Sequence, residues 1–207
     1  MSQFFQIHPE NPQVRLIKRA AELIRDGAVV VYPTDSAYAL GCHLGDRQAL
    51  DRIMALRAVD KHHNFTLMCR DLSELGTYAK VDNATFRLLK ANTPGAYTFV
   101  LPGTSEVPKR LLHEKRKSIG LRIPDNRIAL ALLEELGEPL LTSTLILAGE
   151  SEPLNDPYDI RDRLEQHVDL VIDGGYCGLE PTTVVDLREG TPVILREGAG
   201  NTAALGL

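Results

Sequence analysis

Residues 31–42 read VYPTDSAYALGC, an apolar, strand-like run that breaks into Pro33, Thr34, Asp35 and Ser36 and then turns apolar again. Just ahead of the break, AVVVY at 28–32 is short, continuous and largely β-branched, as a strand covered on both faces requires. Three adjacent hydrogen-bonding side chains at the end of such a strand call for partners or a ligand, and the rest of the chain offers both.

Working outward, NPQVRLIKRAAELIRDG from Asn11 has helical spacing at Leu16, Ile17, Ala20, Leu23 and Ile24. Asn11 is expected to cap this helix, with Pro12 in its first turn and Gly27 as its stop. Asp46 can cap a second helix carrying Leu50, Ile53, Met54 and Leu56, after which FTLMC at 65–69 reads as a strand. Helical patterns follow at 71–76 and 82–91, NTPG at 92–95 is a turn, and AYTFVL reads as a strand. Residues 106–113 read as helical, IGLRI at 119–123 as a strand and NRIALALLEELG at 126–137 as a helix ended by Gly137. PLLTSTLI, VDLVI, TVVDL and PVILRE add four strand candidates, and the acidic, Pro-rich 148–158 is expected to be a surface loop. Helices and strands alternate and strands then accumulate, which predicts an α/β fold with an open mixed sheet and flanking helices, in one domain over 1–207.

Composition narrows the function. Hydrophobic residues make up 43% and aromatics only 5%, so Leu, Ile, Val and Ala must build the core. No basic segment precedes an apolar stretch at the N-terminus, and no apolar run approaches about 18 residues. A soluble protein with no membrane partner is expected. Cys42, Cys69 and Cys177 are odd in number and lie in or beside apolar runs, against a disulfide framework or zinc site; a reducing cytoplasm fits. The net charge of −5 gives no overall attraction to nucleic acid. Residues 109–122, however, hold six Lys/Arg against one Glu, a local basic face that includes Lys109, Arg110, Lys115, Arg116 and Lys117.

Several strand candidates carry a hydroxyl or an arginine where a simple core strand stays apolar. Thr34 and Ser36 follow AVVVY, Thr98 lies within AYTFVL and Arg122 within IGLRI, Thr142, Ser143 and Thr144 lie within PLLTSTLI, Thr182 and Thr183 precede VVDL, and Arg196 follows PVIL. Thr is at home in strands and a strand Arg commonly faces solvent, so each alone is unremarkable. Six strands sharing the feature predict a polar cleft whose two arginines suit a bidentate anion, phosphate or carboxylate. No G-x-x-x-x-G-K-S/T is present, no G-x-G-x-x-G opens a helix, and GGYCG at 174–178 leads into a loop, so side chains must hold any nucleotide. H-E-x-x-H, a nucleophile elbow and C-x-x-C are also absent, and His62 and His63 read as surface loop.

These residues carry a resemblance. VYPTDSAYALGC resembles the V-x-x-P-T-E/D-S/T-x-Y-G-L-G-C/A opening of the YrdC-like family, the threonylcarbamoyl-AMP synthase family. TPGAYTFVL is similar to its P-G-x-x-T-x-V-L, SIGLRIPDNRIALALLEELGEPLLTSTL to its V-x-x-R-x-P-x-H-P and the Ser/Thr strand after it, and PTTVVDL and PVILREG to its S-T-I/V-V-D and I-L-R-x-G. The matches run in order over about residues 15–200.

The resemblance implies an open twisted mixed sheet with a concave, positively charged face. It also implies a reaction joining L-threonine, bicarbonate and ATP into threonylcarbamoyl-AMP and pyrophosphate for threonylcarbamoyladenosine in tRNA, with Mg²⁺ at the phosphates. Thr34 and Thr182 would hold the threonine end and Arg122 its carboxylate or the carbamate. Thr98, Ser143, Thr144 and Arg196 would hold the nucleotide. Two motifs differ. Where the synthases have Lys-x-Arg this chain has LRAVDK, in which Arg57 supplies one cation and Val59 falls at the other, or, in a shifted register, Arg57 matches the Arg and the Lys is lost; Lys61 is the next basic residue. Where they have Ser-x-Asn it has Thr144, Leu145, Ile146. Arg57 and Lys61, with Arg122, are the candidate catalytic and nucleotide-binding cations. At roughly 1.5–3 kcal/mol per charge-assisted contact, the two changes could weaken nucleotide binding or rate by about 10² to 10³.

Both changes resemble the YciO-like branch of the family. Two other activities fit the same residues: a relative that binds tRNA or double-stranded RNA through the basic run at 109–122 without synthase chemistry, and a ligase or hydrolase of another carbamoyl or acyl adenylate, suited to the more apolar Thr-x-Ile wall.

Overall fold

The computed structural model describes residues 1–60 and 63–206. Among them, ten strands form one open mixed sheet: β1 (Gln3–Gln6), β2 (Val30–Tyr32), β3 (Ala39–His43), β4 (Thr66–Met68), β5 (Tyr97–Pro102), β6 (Ser118–Arg122), β7 (Leu140–Thr144), β8 (Leu170–Asp173), β9 (Thr183–Asp186) and β10 (Val193–Arg196). Their order is β1-β8-β2-β3-β7-β4-β6-β5-β9-β10. β1/β8, β8/β2, β4/β6 and β5/β9 pair in parallel, and the other neighbours are antiparallel. Six helices flank the sheet: α1 (Val14–Arg25), α2 (Arg47–Arg57), α3 (Leu72–Tyr78), α4 (Asn83–Asn92), α5 (Arg127–Leu136) and α6 (Pro157–Leu164). The longest has 12 residues, and no helix among the described residues is long and apolar enough to cross a membrane.

Local chemistry explains most boundaries. Asp46, Asp71, Asp82, Asn126 and Asp156 each accept a backbone N–H in the first turn of the helix that follows. Asn11 does not cap α1 as the sequence suggests. His8 Nδ1 takes the Asn11 amide at 3.1 Å, and the first helical bonds run to the Gln13 carbonyl, so α1 starts at Val14. The helical pattern at 106–113 yields only a 3₁₀ turn, Lys109–Leu111, between Pro108 and an extended Leu112. The predicted loop at 148–158 ends sooner than expected, because α6 begins at Pro157 behind the Asp156 cap and anchors through Ile160 and Leu164.

The two faces of the sheet have different covers. One packs against α2, α4 and α6 in a core built on Leu40, Leu67, Phe99, Leu121 and Val185. On the other, α1 and α5 lay Ile17, Ala20, Ile24, Ile128, Leu132 and Leu133 over Val30, Tyr32, Met68, Leu140 and Ile172. That second cover stops partway across. Beyond it, the same face presents hydroxyls, glycine and arginine, and the candidate site lies there.

Candidate functional site

Strand periodicity of two sets the pocket floor. In one row across the sheet, Gly41, Thr142, Thr66, Gly120, Val100 and Asp186 are Cα partners in turn. Next to it run Met68 opposite Arg122, and Thr98 opposite Val184, which in turn faces Arg196. Gly120 keeps the floor low, since a Cβ there would lie 2.6 Å from Thr66 Oγ1. The pairing of β10 with β9 shifts between Ile194 and Arg196, and this bulge brings both Leu195 and Arg196 to the pocket wall. The pocket is about 290 Å³ and is lined by Arg57, Arg122 and Arg196 together with Thr98, Ser143, Thr144 and Thr182.

Its three arginines are held differently. Arg57 ends α2, where a cation also suits the helix C-terminus. Its Nη1 donates to Ser143 Oγ at 2.6 Å and lies 3.3 Å from His63 Nε2, and its Nε donates to the Ile146 carbonyl at 3.4 Å. Arg196 donates from Nη2 and Nε to the Thr182 carbonyl at 2.8 and 3.1 Å. Among the described residues, neither has a carboxylate within ion-pair distance. Burial lowers the pKa of both, and the charge of Arg196 lowers Arg57 further. Arg122 is only 5% exposed; its Nη2 donates to Asp35 Oδ1 and its Nη1 reaches Ser36 Oγ at 3.5 Å.

The hydroxyls divide into those that face the pocket and those spent on the backbone. Thr98 Oγ1 and Thr182 Oγ1 are 2.7 Å apart beside Arg196. Thr34 lies outside the lining: its Oγ1 donates to the Ala37 carbonyl at 2.6 Å and accepts the Ser36 amide at 3.1 Å, closing the turn between β2 and β3. Thr183 likewise donates to the Gly200 carbonyl at 2.7 Å. Lys61, the remaining cation assigned to this site, lies outside the described residues, as does His62.

His63 corrects the surface-loop reading. It lines the pocket, packs edge-on to Phe65 with ring centroids 5.5 Å apart, and has its pKa lowered by burial and by Arg57 against an opposing pull from Asp60. Because a guanidinium only donates, Nε2 facing Arg57 is the acceptor nitrogen of a neutral ring. The signal in sequence was position alone, two residues ahead of a buried strand.

In the basic run, Lys109 and Arg110 occupy the 3₁₀ turn, where Arg110 donates to the Leu44 carbonyl at 3.2 Å. Lys115, Arg116 and Lys117 are exposed. Arg116 is near enough to Asp186, at the end of the floor row, to help lower its pKa, behind the larger effect of Arg188. The cysteines are all free thiols, and burial raises Cys42 to about 12 and Cys177 to about 11, so neither is a ready nucleophile.

Relatives share this architecture. The family model Sua5_yciO_yrdC, described as Telomere recombination, matches residues 22–198. The chain is 62% identical over 201 residues to the uncharacterized protein YciO of Escherichia coli (strain K12), covering 97% of this chain and 98% of that one. The crystal structure of E. coli YciO aligns with a TM-score of 0.95, over 99% of this chain and 100% of the other, at 60% identity. The chain is 32% identical over 184 residues to the threonylcarbamoyl-AMP synthase of Chromobacterium violaceum, covering 88% of this chain and 94% of that protein. The crystal structure of P. abyssi Sua5 complexed with L-threonine aligns with a TM-score of 0.87 at 27% identity, over 95% of this chain and 58% of the other.

Proposed function

The chain belongs to the Sua5/YciO/YrdC family, and from that premise we propose that it is a nucleotidyltransferase of the threonylcarbamoyl-AMP synthase type. L-threonine, bicarbonate and ATP would give threonylcarbamoyl-AMP and pyrophosphate, serving threonylcarbamoyladenosine formation in tRNA. One observation carries the reading: Arg57, Arg122 and Arg196 line one pocket, and two of them have no carboxylate partner among the described residues. Arg57, partly buried, and Arg196, on the exposed strand β10, are cations without counter-ions among the described residues, which favours an anionic ligand, and family membership makes a nucleotide the first candidate.

The proposed chemistry is positional. The threonine amine and bicarbonate give a carbamate and water. A carbamate oxygen then attacks the α-phosphorus of ATP, forming the new P–O bond as the bond to the β-phosphate oxygen breaks and pyrophosphate leaves. Arg57 and Arg196, with Ser143, Thr144 and Thr98, stabilise charge on the phosphates, while Arg122 and Thr182 orient the amino-acid end. Lys61 is the additional cation proposed for the phosphates. Thr34 shapes the amino-acid end through its turn. Mg²⁺ is proposed to arrive with the nucleotide, since no group of three His, Cys, Asp or Glu among the described residues could hold it alone. Ile146 offers Arg57 its carbonyl at 3.4 Å and the pocket its hydrocarbon, so slower turnover than in the synthases is expected.

Pyrophosphate release tests the reading. Release that requires both threonine and bicarbonate, and that Arg122→Ala abolishes, supports it; release no greater than a protein-free blank at high protein concentration rejects it.

A second reading rests on the exposed basic turn. Lys115, Arg116 and Lys117 protrude just before β6, at the Asp186 end of the floor row, where they could contact phosphates of tRNA or double-stranded RNA by counterion release. Reversing the three charges should reduce retention of labelled tRNA and flatten its salt dependence; unchanged retention excludes this surface.

A further inference from the structure

Asp35 lies in the turn between β2 and β3 with its side chain 10% exposed, and both of its oxygens are used. Oδ1 accepts from Arg122 Nη2, and Oδ2 accepts the Asp125 backbone N–H at 2.9 Å in the connection from β6 to α5. The turn that carries Asp35 is braced independently of Arg122. Thr34 and Ser36 close it with their hydroxyl and amide, Cys177 Sγ donates to the Thr34 carbonyl at 3.7 Å, and Gly178 packs so tightly on Ser36 that a Cβ would lie 2.5 Å from its carbonyl oxygen. Arg122 has much less to hold it. Its contact with Ser36 is at the limit of hydrogen bonding, and its buried Nε has no partner among the described residues. The position of a buried guanidinium beside the pocket therefore depends on one carboxylate in a rigid turn.

We propose that Asp35 is a positioning residue for Arg122. It fixes the guanidinium against the pocket and balances its charge, so that Arg122 meets the bound amino acid as oriented N–H donors instead of as a mobile cation. The substrate in this statement rests on the function proposed above, whereas the placement of Arg122 does not. Removing the carboxylate alone strands a buried charge, and removing both partners does not. Asp35 and Arg122 should therefore be strongly coupled in stability.

The test uses the full chain with Asp35→Asn, Arg122→Met and both together. It reads thermal melting, the KM and kcat of pyrophosphate release with respect to L-threonine, and the Arg122 Nε–H signal in ¹H–¹⁵N spectra, identified by its loss in Arg122→Met. Asp35→Asn is expected to melt lower than the double variant. It should raise the KM for threonine about 10- to 100-fold with a smaller change in kcat, the size of a lost charge-assisted contact. Its Nε–H signal should exchange at least about tenfold faster as local protection is lost. If Asp35→Asn fails to fold while the double variant folds, the same coupling is shown. A double variant no more stable than Asp35→Asn, or an Nε–H signal unchanged by Asp35→Asn, overturns the proposal. If the wild-type chain releases no pyrophosphate, the proposed reaction fails, while the spectra and melting curves still decide the role of Asp35.

Discussion

Arg196 and Arg57 line the same pocket, and the charge of Arg196 makes Arg57 easier to deprotonate. Like charges that lack counter-ions among the described residues repel in the free protein and cooperate once an anion lies between them. Arg196→Gln should therefore change stability and binding in opposite senses. Its urea midpoint should rise slightly or stay level, while ATP binding measured by calorimetry weakens about 10- to 100-fold, the equivalent of one charge-assisted contact. Equal ATP affinity in the variant would remove Arg196 from the site.

His63 should make the protein acid-sensitive. Burial and Arg57 hold its folded-state pKa below the ordinary imidazole value. A depressed folded pKa means that the contribution from the neutral ring is complete above the unfolded value of about 6.5 and is lost as pH falls through the lower folded value. Between pH 7.5 and 5 the urea midpoint of the wild type should fall further than that of His63→Gln. Parallel falls would place the acid sensitivity elsewhere. Phosphate should lessen the difference, since an anion beside the ring favours its protonated form.

Gly120 is needed for clearance. A methyl group added there meets Thr66 Oγ1 at 2.6 Å, Thr98 Cγ2 at 3.1 Å and the Phe65 carbonyl at 3.2 Å. Gly120→Ala should destabilise the sheet by about 1–3 kcal/mol through overpacking and raise the pocket floor, which denaturant titration and ligand calorimetry would register together. A variant of native stability with unchanged ligand affinity would mean that the floor yields easily.

Thr34 should act mainly through the turn. With its hydroxyl bonded to the Ala37 carbonyl and the Ser36 amide, Thr34→Val leaves a buried carbonyl and amide short of a partner and should cost about 1–3 kcal/mol of stability. Threonine affinity should change less than in Arg122→Ala. A selective loss of threonine binding at native stability would instead put the hydroxyl on the ligand.

What could be seen in the sequence follows from strand periodicity. Thr98, Arg122, Thr142 and Thr144 alternate with buried Phe99, Leu121 and Leu141, so the hydroxyls and the arginine of these strands share one face, which Val100 and Gly120 also line. Periodicity does not say which hydroxyls the backbone consumes, and Thr34 and Thr183 are satisfied within their own turns. It also fails where the register breaks, so the pocket position of Leu195 in the β10 bulge could not be anticipated. β3 is hard to bound in sequence because Ala39–Cys42 is buried without alternation and contains Gly41, and β1 because only its Phe pair is apolar. α6 is hard to read in sequence because a polar segment with three buried residues, Pro157, Ile160 and Leu164, is stabilised chiefly by its cap and its packing on β8. His63 fell between a neighbouring histidine and a strand, with no repeat to mark its direction.

The most direct measurement follows carbon from bicarbonate. The protein is incubated with ATP, Mg²⁺, L-threonine and ¹³C-bicarbonate, and the products are separated and weighed. An adenylate one mass unit heavier than its ¹²C counterpart is expected, formed only when threonine is present and lost in Arg122→Ala. Wild-type protein that is folded and binds ATP, yet forms no labelled adenylate at high protein concentration, would contradict the proposed reaction.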